Sequence, residues 1–351
     1  MPDTPALLDA LLRVAAPSGY EAPASEVWRD AASFAEIRTD GLGSSMALVG
    51  PEDGEPVLAI AGHLDEIGLV VTHIDDKGFI WFRPIGGWDP QILVGQRVEV
   101  TTKDGPVYGV AGRKPVHLLE DEQRKKVVEL KGLHIDIGAE DGDAAKELVR
   151  IGDPVVIAGE PVRVQGERLI SRSMDNRLGS YVALEVARRC DENGRLKGRV
   201  AGVANAQEEI GLYGARTSSF ELRPTLAVAV DVTHATDAPG VDENQEGSHA
   251  LGSGPVIGRG STLSPKVFEL LAETAEREGI EHTLSGSGNR TGTDADAIQI
   301  SRSGIPAGLV SIPLRYMHSP VEMVDLGDVE ATVALLVAFA ESLEAGVDLS
   351  R

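Results

Sequence analysis

Apolar positions along the chain fall into two textures. Near the start, Leu7, Leu11, Leu12 and Val14 share one helical face ahead of Pro17-Ser18-Gly19, which predicts a first helix with Thr4 as its cap and Pro5 as its first residue. A second helix is predicted over 25–35, then strands at 46–49 and 57–61. From residue 67 to 158 the pattern shifts to β-branched runs at 67–73, 79–83, 96–101, 107–111 and 155–158, divided by Gly and Asp. Such runs predict a small barrel or sandwich. The charged stretches 119–126 and 141–150 read as a loop and one helix within it.

Beyond 168–170 the helical period returns, with Leu178, Val182 and Val186 four apart in a helix over 176–189. Apolar runs at 200–204, 225–230 and 306–312 read as buried strands. Ser264-Pro265 opens a helix that Gly279 closes, and 326–343 is a final helix. The expected fold class is therefore α/β, a mixed-sheet domain made of 1–65 and 165–351 with an inserted small β-barrel-like domain at 66–164.

Composition narrows the partners. The 351 residues, 42% of them hydrophobic, suffice for a packed core. A formal net charge of -22 excludes nucleic acid and an anionic membrane surface as natural partners, because both would repel the chain. The single Cys190 lies in a helical pattern, so no disulfide framework is expected and a cytoplasmic location follows. The first residues lack a basic leader, and no window approaches the ~18 apolar residues of a membrane span.

The chemistry centres on Glu208-Glu209, immediately after the predicted strand 200–204. In an open α/β sheet, strand carboxyl ends are where ligands bind, and adjacent residues on an extended segment point different ways. One Glu can then ligate a metal while the other holds a proton. His63, Glu209, Asp231 and His318 each follow a predicted strand, and Asp175 sits in the turn before a helix. Two His with three carboxylates form the mixed N/O set suited to two ions of the Zn, Co or Mn kind sharing one carboxylate, with Asp175 as the natural bridge. Singly, each has a plainer explanation as a core histidine, cap or turn residue; jointly that explanation weakens.

Asp65, two residues after His63, supplies a carboxylate to fix a ligating imidazole. His234 is a candidate outer partner of Asp231, whereas His73, His117, His134, His249 and His282 receive no role. The Gly-rich stretch 285–294 lacks the Lys-Ser/Thr ending of a phosphate loop and reads as a mobile loop lining a cleft.

Gly62-His63-Leu64-Asp65-Glu66-Ile67-Gly68, Gly86-Gly87-Trp88-Asp89-Pro90, Met174-Asp175-Asn176-Arg177, Gln207-Glu208-Glu209-Ile210-Gly211, Asp231-Val232-Thr233-His234, Thr293-Asp294-Ala295 and Met317-His318-Ser319 together resemble the M42 family of metallo-aminopeptidases, which includes the TET peptidases and glutamyl aminopeptidases. The resemblance implies a di-metal exopeptidase with two divalent ions per chain. It implies that His63 and Asp231 hold one ion, Glu209 and His318 the other, and Asp175 bridges them. It further implies Glu208 as catalytic general base, Asp65 as the orienter of His63, and an inserted domain that pairs chains into dimers building a hollow dodecamer. Where family members often read Gly-Gly before Thr-Asp-Ala, this chain has Thr291-Gly292, a departure at the rim of the family's substrate pocket.

The expected reaction is hydrolysis of an N-terminal peptide bond in short or unfolded peptides, by water activated at the two ions with a Glu base. The metal set alone leaves a carboxypeptidase or an N-acyl amino-acid deacylase open. A glycosidase, endoglucanase-like, fits less well, since its two carboxylates must face each other across the sugar at ~5 to 9.5 Å.

Overall fold

The computed structural model describes residues 4–350. In chain order the strands are β1 Glu36–Thr39, β2 Ser45–Val49, β3 Val57–His63, β4 Gly68–Ile74, β5 Ile80–Ile85, β6 Arg97–Thr102, β7 Gly105–Gly112, β8 His134–Asp136, β9 Pro154–Ile157, β10 Val162–Arg163, β11 Arg168–Ser171, β12 Arg199–Asn205, β13 Leu226–His234, β14 Val256–Gly260, β15 Thr283–Ser287, β16 Ala307–Leu314 and β17 Glu322–Asp325. The longer helices are Ala6–Arg13, Ala22–Ala31, Met174–Asn193, Tyr213–Leu222, Pro265–Glu278 and Leu326–Ser342. Among the described residues, no helix is long and apolar enough to cross a membrane.

Eight of the described strands form one mixed sheet in the order β1-β2-β12-β3-β13-β16-β14-β15. Its centre, β12, β3, β13 and β16, is parallel. Through their middles these strands carry apolar residues toward both faces, as they must when both are covered. Leu58, Ile60, Val200, Val228 and Val230 join the larger core under the helices Met174–Asn193 and Leu326–Ser342, whereas Ala59, Ala61, Ala201 and Ala227 meet the Tyr213–Leu222 side. Bulk on one face and alanine on the other lets the two layers sit at different depths.

Backbone contact fixes the central helix. A Cβ at Gly62 would lie 2.2 Å from the Gly179 carbonyl carbon, and one at Gly179 would lie 2.4 Å from the Val230 carbonyl oxygen. The helix therefore rests directly on β3 and β13. The site opens close by: β3 and β13 pair only as far as Ala61 and Ala229, while β12 stays paired to β3 through Asn205 and His63. Past that point the strands part and leave a crevice at their carboxyl ends.

β4, β5, β8, β7, β6 and β9 close into a barrel whose interior is filled by Leu69, Val71, Ile80, Val98, Val100, Ile135 and Val155. It hangs from the end of β3 and returns through β10 and β11, the latter pairing on its other side with β17 in a small sheet.

Several expectations shift in detail. Thr4 caps nothing: Pro5 itself occupies the cap position and makes no side-chain bond. The second helix runs Ala22–Ala31 rather than over 25–35, because Pro23 in its first turn sets the start. The Gly-rich stretch is not all loop, since Ser285-Gly286-Ser287 belong to β15, paired in parallel with β14. Asp231 lies inside β13, not after it.

Gly62→Ala should lower stability by about 1–3 kcal/mol, the usual cost of forcing atoms into a packed interior. Thermal unfolding reads this directly; a midpoint equal to that of the parent protein would contradict the helix-on-strand contact.

Candidate functional site

His63 ends β3 and is buried. Its Nδ1 lies 3.1 Å from the Asp65 carbonyl oxygen, a group that only accepts, so Nδ1 carries a proton and Nε2 is the nitrogen left for the centre. Nε2 faces Asp175 Oδ1 at 3.1 Å. His318 repeats the arrangement from the opposite side. Its Nδ1 lies 3.0 Å from the Gly87 carbonyl, contributed by the segment after β5, and its Nε2 lies 3.3 Å from both Asp175 Oδ2 and Glu209 Oε1.

Asp175 is the second residue of the helix Met174–Asn193 but keeps an extended backbone, with ψ 102. Its two oxygens therefore address two different imidazoles. Glu209 Oε1, though close to His318, is buried without a hydrogen-bond partner. Ring nitrogens and carboxylate oxygens turned toward one another as lone pairs repel unless positive charge sits between them. This is the donor set and spacing that a divalent ion needs. Ligand atoms of His63, Asp175 and Glu209, and those of His63, Glu208 and Asp231, lie within 4.8 Å of one another.

Among protein groups alone, protons supply the missing charge. Burial pushes Glu208 up to about 10, with His63 opposing and Asp231, Asp294 and Glu209 adding to the rise. Burial likewise drives Asp231 well above the carboxylate range. The carboxylates of Asp175 and Glu209 facing its ring hold His318 up to about 11. Burial also works against ionisation of Asp175, yet the imidazoles of His318 and His63 prevail and keep its carboxyl well below the usual range.

The structure brings His63, Asp175, Glu208, Glu209, Asp231 and His318 to one cleft of about 350 Å³, which Val232, Thr233, His234, Thr291, Gly292, Thr293 and Met317 also line. His234 is exposed at the rim, and the Asp231 carboxylate accepts from the Val232 amide instead. Asp65 acts through two groups. Its carbonyl meets His63, and its carboxylate, 3.5 Å from that ring, accepts from the amides of Glu208 at 3.0 Å and Glu209 at 3.1 Å.

Sequence reasoning missed an outer layer. Glu21 accepts from Gln207 N at 2.9 Å, bracing a residue with φ 57 just before the two glutamates. Asp294 accepts from Asn205 Nδ2 at 2.8 Å beneath Glu208. Glu66 pairs with Arg177 at 2.9 Å and also with Arg172, under the turn that carries Asp175. Glu322 accepts from the amides of Met174 and His318. Glu66 and Glu322 stand close in sequence to His63 and His318, a weak signal at best, whereas Glu21 and Asp294 are remote in sequence from every candidate ligand and only the fold brings them in.

The profile of the M42 glutamyl aminopeptidase family matches residues 43–335. A lysyl aminopeptidase of Pyrococcus furiosus is 36% identical over 313 residues, 88% of each chain. Among solved structures, a TET aminopeptidase from the marine sediment archaeon Thaumarchaeota archaeon SCGC AB-539-E09 superposes with a TM-score of 0.92 at 32% identity, covering 97% of this chain and 96% of its own. The TET1 peptidase of Pyrococcus horikoshii, which can assemble into a tetrahedron or a large octahedral shell, gives 0.84 at 32% identity over 96% and 99% of the two chains. With most of its length matched and its metal-competent cleft at the sheet's carboxyl edge, this chain belongs to the M42 family of aminopeptidases and is a peptide hydrolase.

Proposed function

We propose that the cleft is a two-ion aminopeptidase site in which His63 and Asp231 serve one ion, Glu209 and His318 the other, and Asp175 joins them. The observation that carries this reading is the Asp175 carboxylate, whose Oδ1 faces His63 Nε2 and whose Oδ2 faces His318 Nε2. Zn or Co suits the mixed imidazole and carboxylate set best, with Mn as the further option. Such ions supply Lewis acidity at the peptide carbonyl and lower the pKa of a water toward ~7.

The remaining work falls to the chain's own groups. Glu208, with Oε2 3.8 Å from His63 Nε2, takes a proton from the attacking water and returns it to the leaving amine. Asp65 holds His63 through its carbonyl and fixes both glutamates through their amides. The excess of carboxylates attracts a free peptide amino group, which supports release of N-terminal residues from short or unfolded peptides.

We further assign 1–65 and 165–351 to the catalytic domain and 66–164 to an inserted domain that dimerises the chain, extending to it the shell assembly of the TET1 relative, with dimers building a dodecamer. Trp88 and Ile92 pack partly buried against the barrel core, so they offer less to a partner than Tyr108, Val116, Leu118, Val127 and Ile151, which are exposed. The single buried Cys190 supports a cytoplasmic setting.

The direct test is metal content measured beside a scan of aminoacyl-anilide substrates. Glu208→Gln should keep both ions and lose ~10²- to 10⁴-fold in kcat, since a base is not a ligand. Loss of an ion from that variant would instead make Glu208 a ligand.

Ion binding should release protons at pH 8, because the ligand His318 and the neighbouring base Glu208 hold protons up to about 11 and about 10 until positive charge enters the site. Apparent affinity then rises with pH. Calorimetry in buffers of differing ionisation enthalpy measures the released protons, and zero release would refute the ligand set.

For assembly, light scattering should give a multi-chain mass that grows with ionic strength, as salt screens the -22 charge. Replacing 66–164 by a short Gly-Ser linker should leave single chains. A full-length protein that is monomeric at every concentration and salt level would defeat the assignment.

A further inference from the structure

Glu322 is buried at the start of β17, and among the described residues its carboxylate has no basic side chain as partner. Its contacts are backbone amides. Oε2 accepts from Met174 N at 2.7 Å and Asp175 N at 3.3 Å, and Oε1 accepts from His318 N at 2.9 Å. One carboxylate therefore ties together two chain segments that are remote in sequence, and each delivers a ligand to the same side of the site.

The topology builds this tie. β17 runs antiparallel to β11 with Glu322 opposite Ser171, so the acid lies beside the chain just before it turns into Met174 and Asp175. On the other side, the turn carrying His318 is closed by reciprocal amide bonds of 3.0 Å between Arg315 and Met323. Both segments need holding. Ser173 at φ 59, Tyr316 at φ 61 and His318 at φ 58 occupy the left-handed region that side chains disfavour, and such positions persist only where the surroundings over-determine them. Burying a carboxylate with no cation is costly unless its oxygens are filled by donors, and here the donors are the amides of the two ligand-bearing segments.

From this geometry we infer that Glu322 is a positioning residue that sets the separation of Asp175 and His318, and with it the affinity of the ion shared by Asp175, His318 and Glu209 rather than that of the ion on the His63 and Asp231 side. The inference rests on the two-ion reading above. The two ions share Asp175, but the placement of His63 and Asp231 comes from β3, from Asp65 and from the parting of β3 from β13, none of which Glu322 touches, so the loss falls chiefly on the ion that also needs His318.

The test is cobalt(II) titration of the full-length, chelator-stripped protein, followed by visible absorption and calorimetry. The parent protein should bind two equivalents. Glu322→Gln keeps the shape but sets an amide NH₂ against one of the backbone donors. It should bind one equivalent within about twofold of the parent affinity and the other ~10- to 100-fold more weakly, the usual effect of losing an outer-shell partner. Peptidase activity of the variant should recover as cobalt is raised to saturate the weak site. Parent-like titration, or equal weakening of both equivalents, overturns the inference. If Glu322→Gln fails to fold by circular dichroism, Glu322→Asp, too short to span both segments, should show the same split; loss of folding in both variants assigns Glu322 to the fold and overturns the inference as well. A parent protein that binds one equivalent refutes the two-ion reading instead, and the response of that single ion to Glu322→Gln still decides whether the acid tunes His318.

Discussion

Crowding of negative charge around Asp175 is the constraint on which the rest of the molecule depends. Asp175, Glu208 and Asp231 lie buried, and Glu209 half-buried, at one sheet edge with two imidazoles turned toward them. Carboxylates in such a place ionise together only against positive charge of similar density, since neither water nor distance screens them. The surrounding structure is arranged to resist their mutual repulsion while leaving the centre free for cations.

That resistance comes from backbone more than from side-chain pairing. Asp65 grips two amides, Glu21 a third, and Glu322 three more, so that acids hold acids through the peptide groups between them. The buried cations enter one layer further out, where Arg172 and Arg177 meet Glu66, and Arg177 reaches the carbonyls of Leu11 and Val14 at the end of the first helix. The N-terminal segment is thereby fastened to the floor of the site. Beneath it, the glycine contact between helix and β3 holds the scaffold at a spacing that a methyl group would break.

The sequence made the parallel strands legible because their apolar runs end abruptly in charge: 57–61 before His63, 200–204 before Glu208, 225–230 before Asp231. The barrel was legible from its β-branched runs, and the Pro265–Glu278 helix from Ser264 and Gly279 at its two ends. Short elements such as β1, β8 and β17 carry too little alternation to stand out against the loops around them. Five of the acids and imidazoles of the centre were readable as residue types following predicted strands, and Asp175 as an acid in the turn before a helix. The outer layer was not, because Glu21 and Glu322 act on amides brought near only by the fold, and a glutamate two turns of chain away from a histidine looks like any solvated acid.

The carbonyl of Gly87 carries a further consequence. It belongs to the barrel segment, yet it fixes which nitrogen of His318 faces the centre. The barrel is thus closed in topology but not separate in chemistry: whatever tilts it against the sheet also rotates an imidazole on which one end of the acid cluster relies. A shift of the barrel would then act on the centre mechanically, and a chain without a properly seated barrel would carry all of its acids and only one correctly aimed histidine.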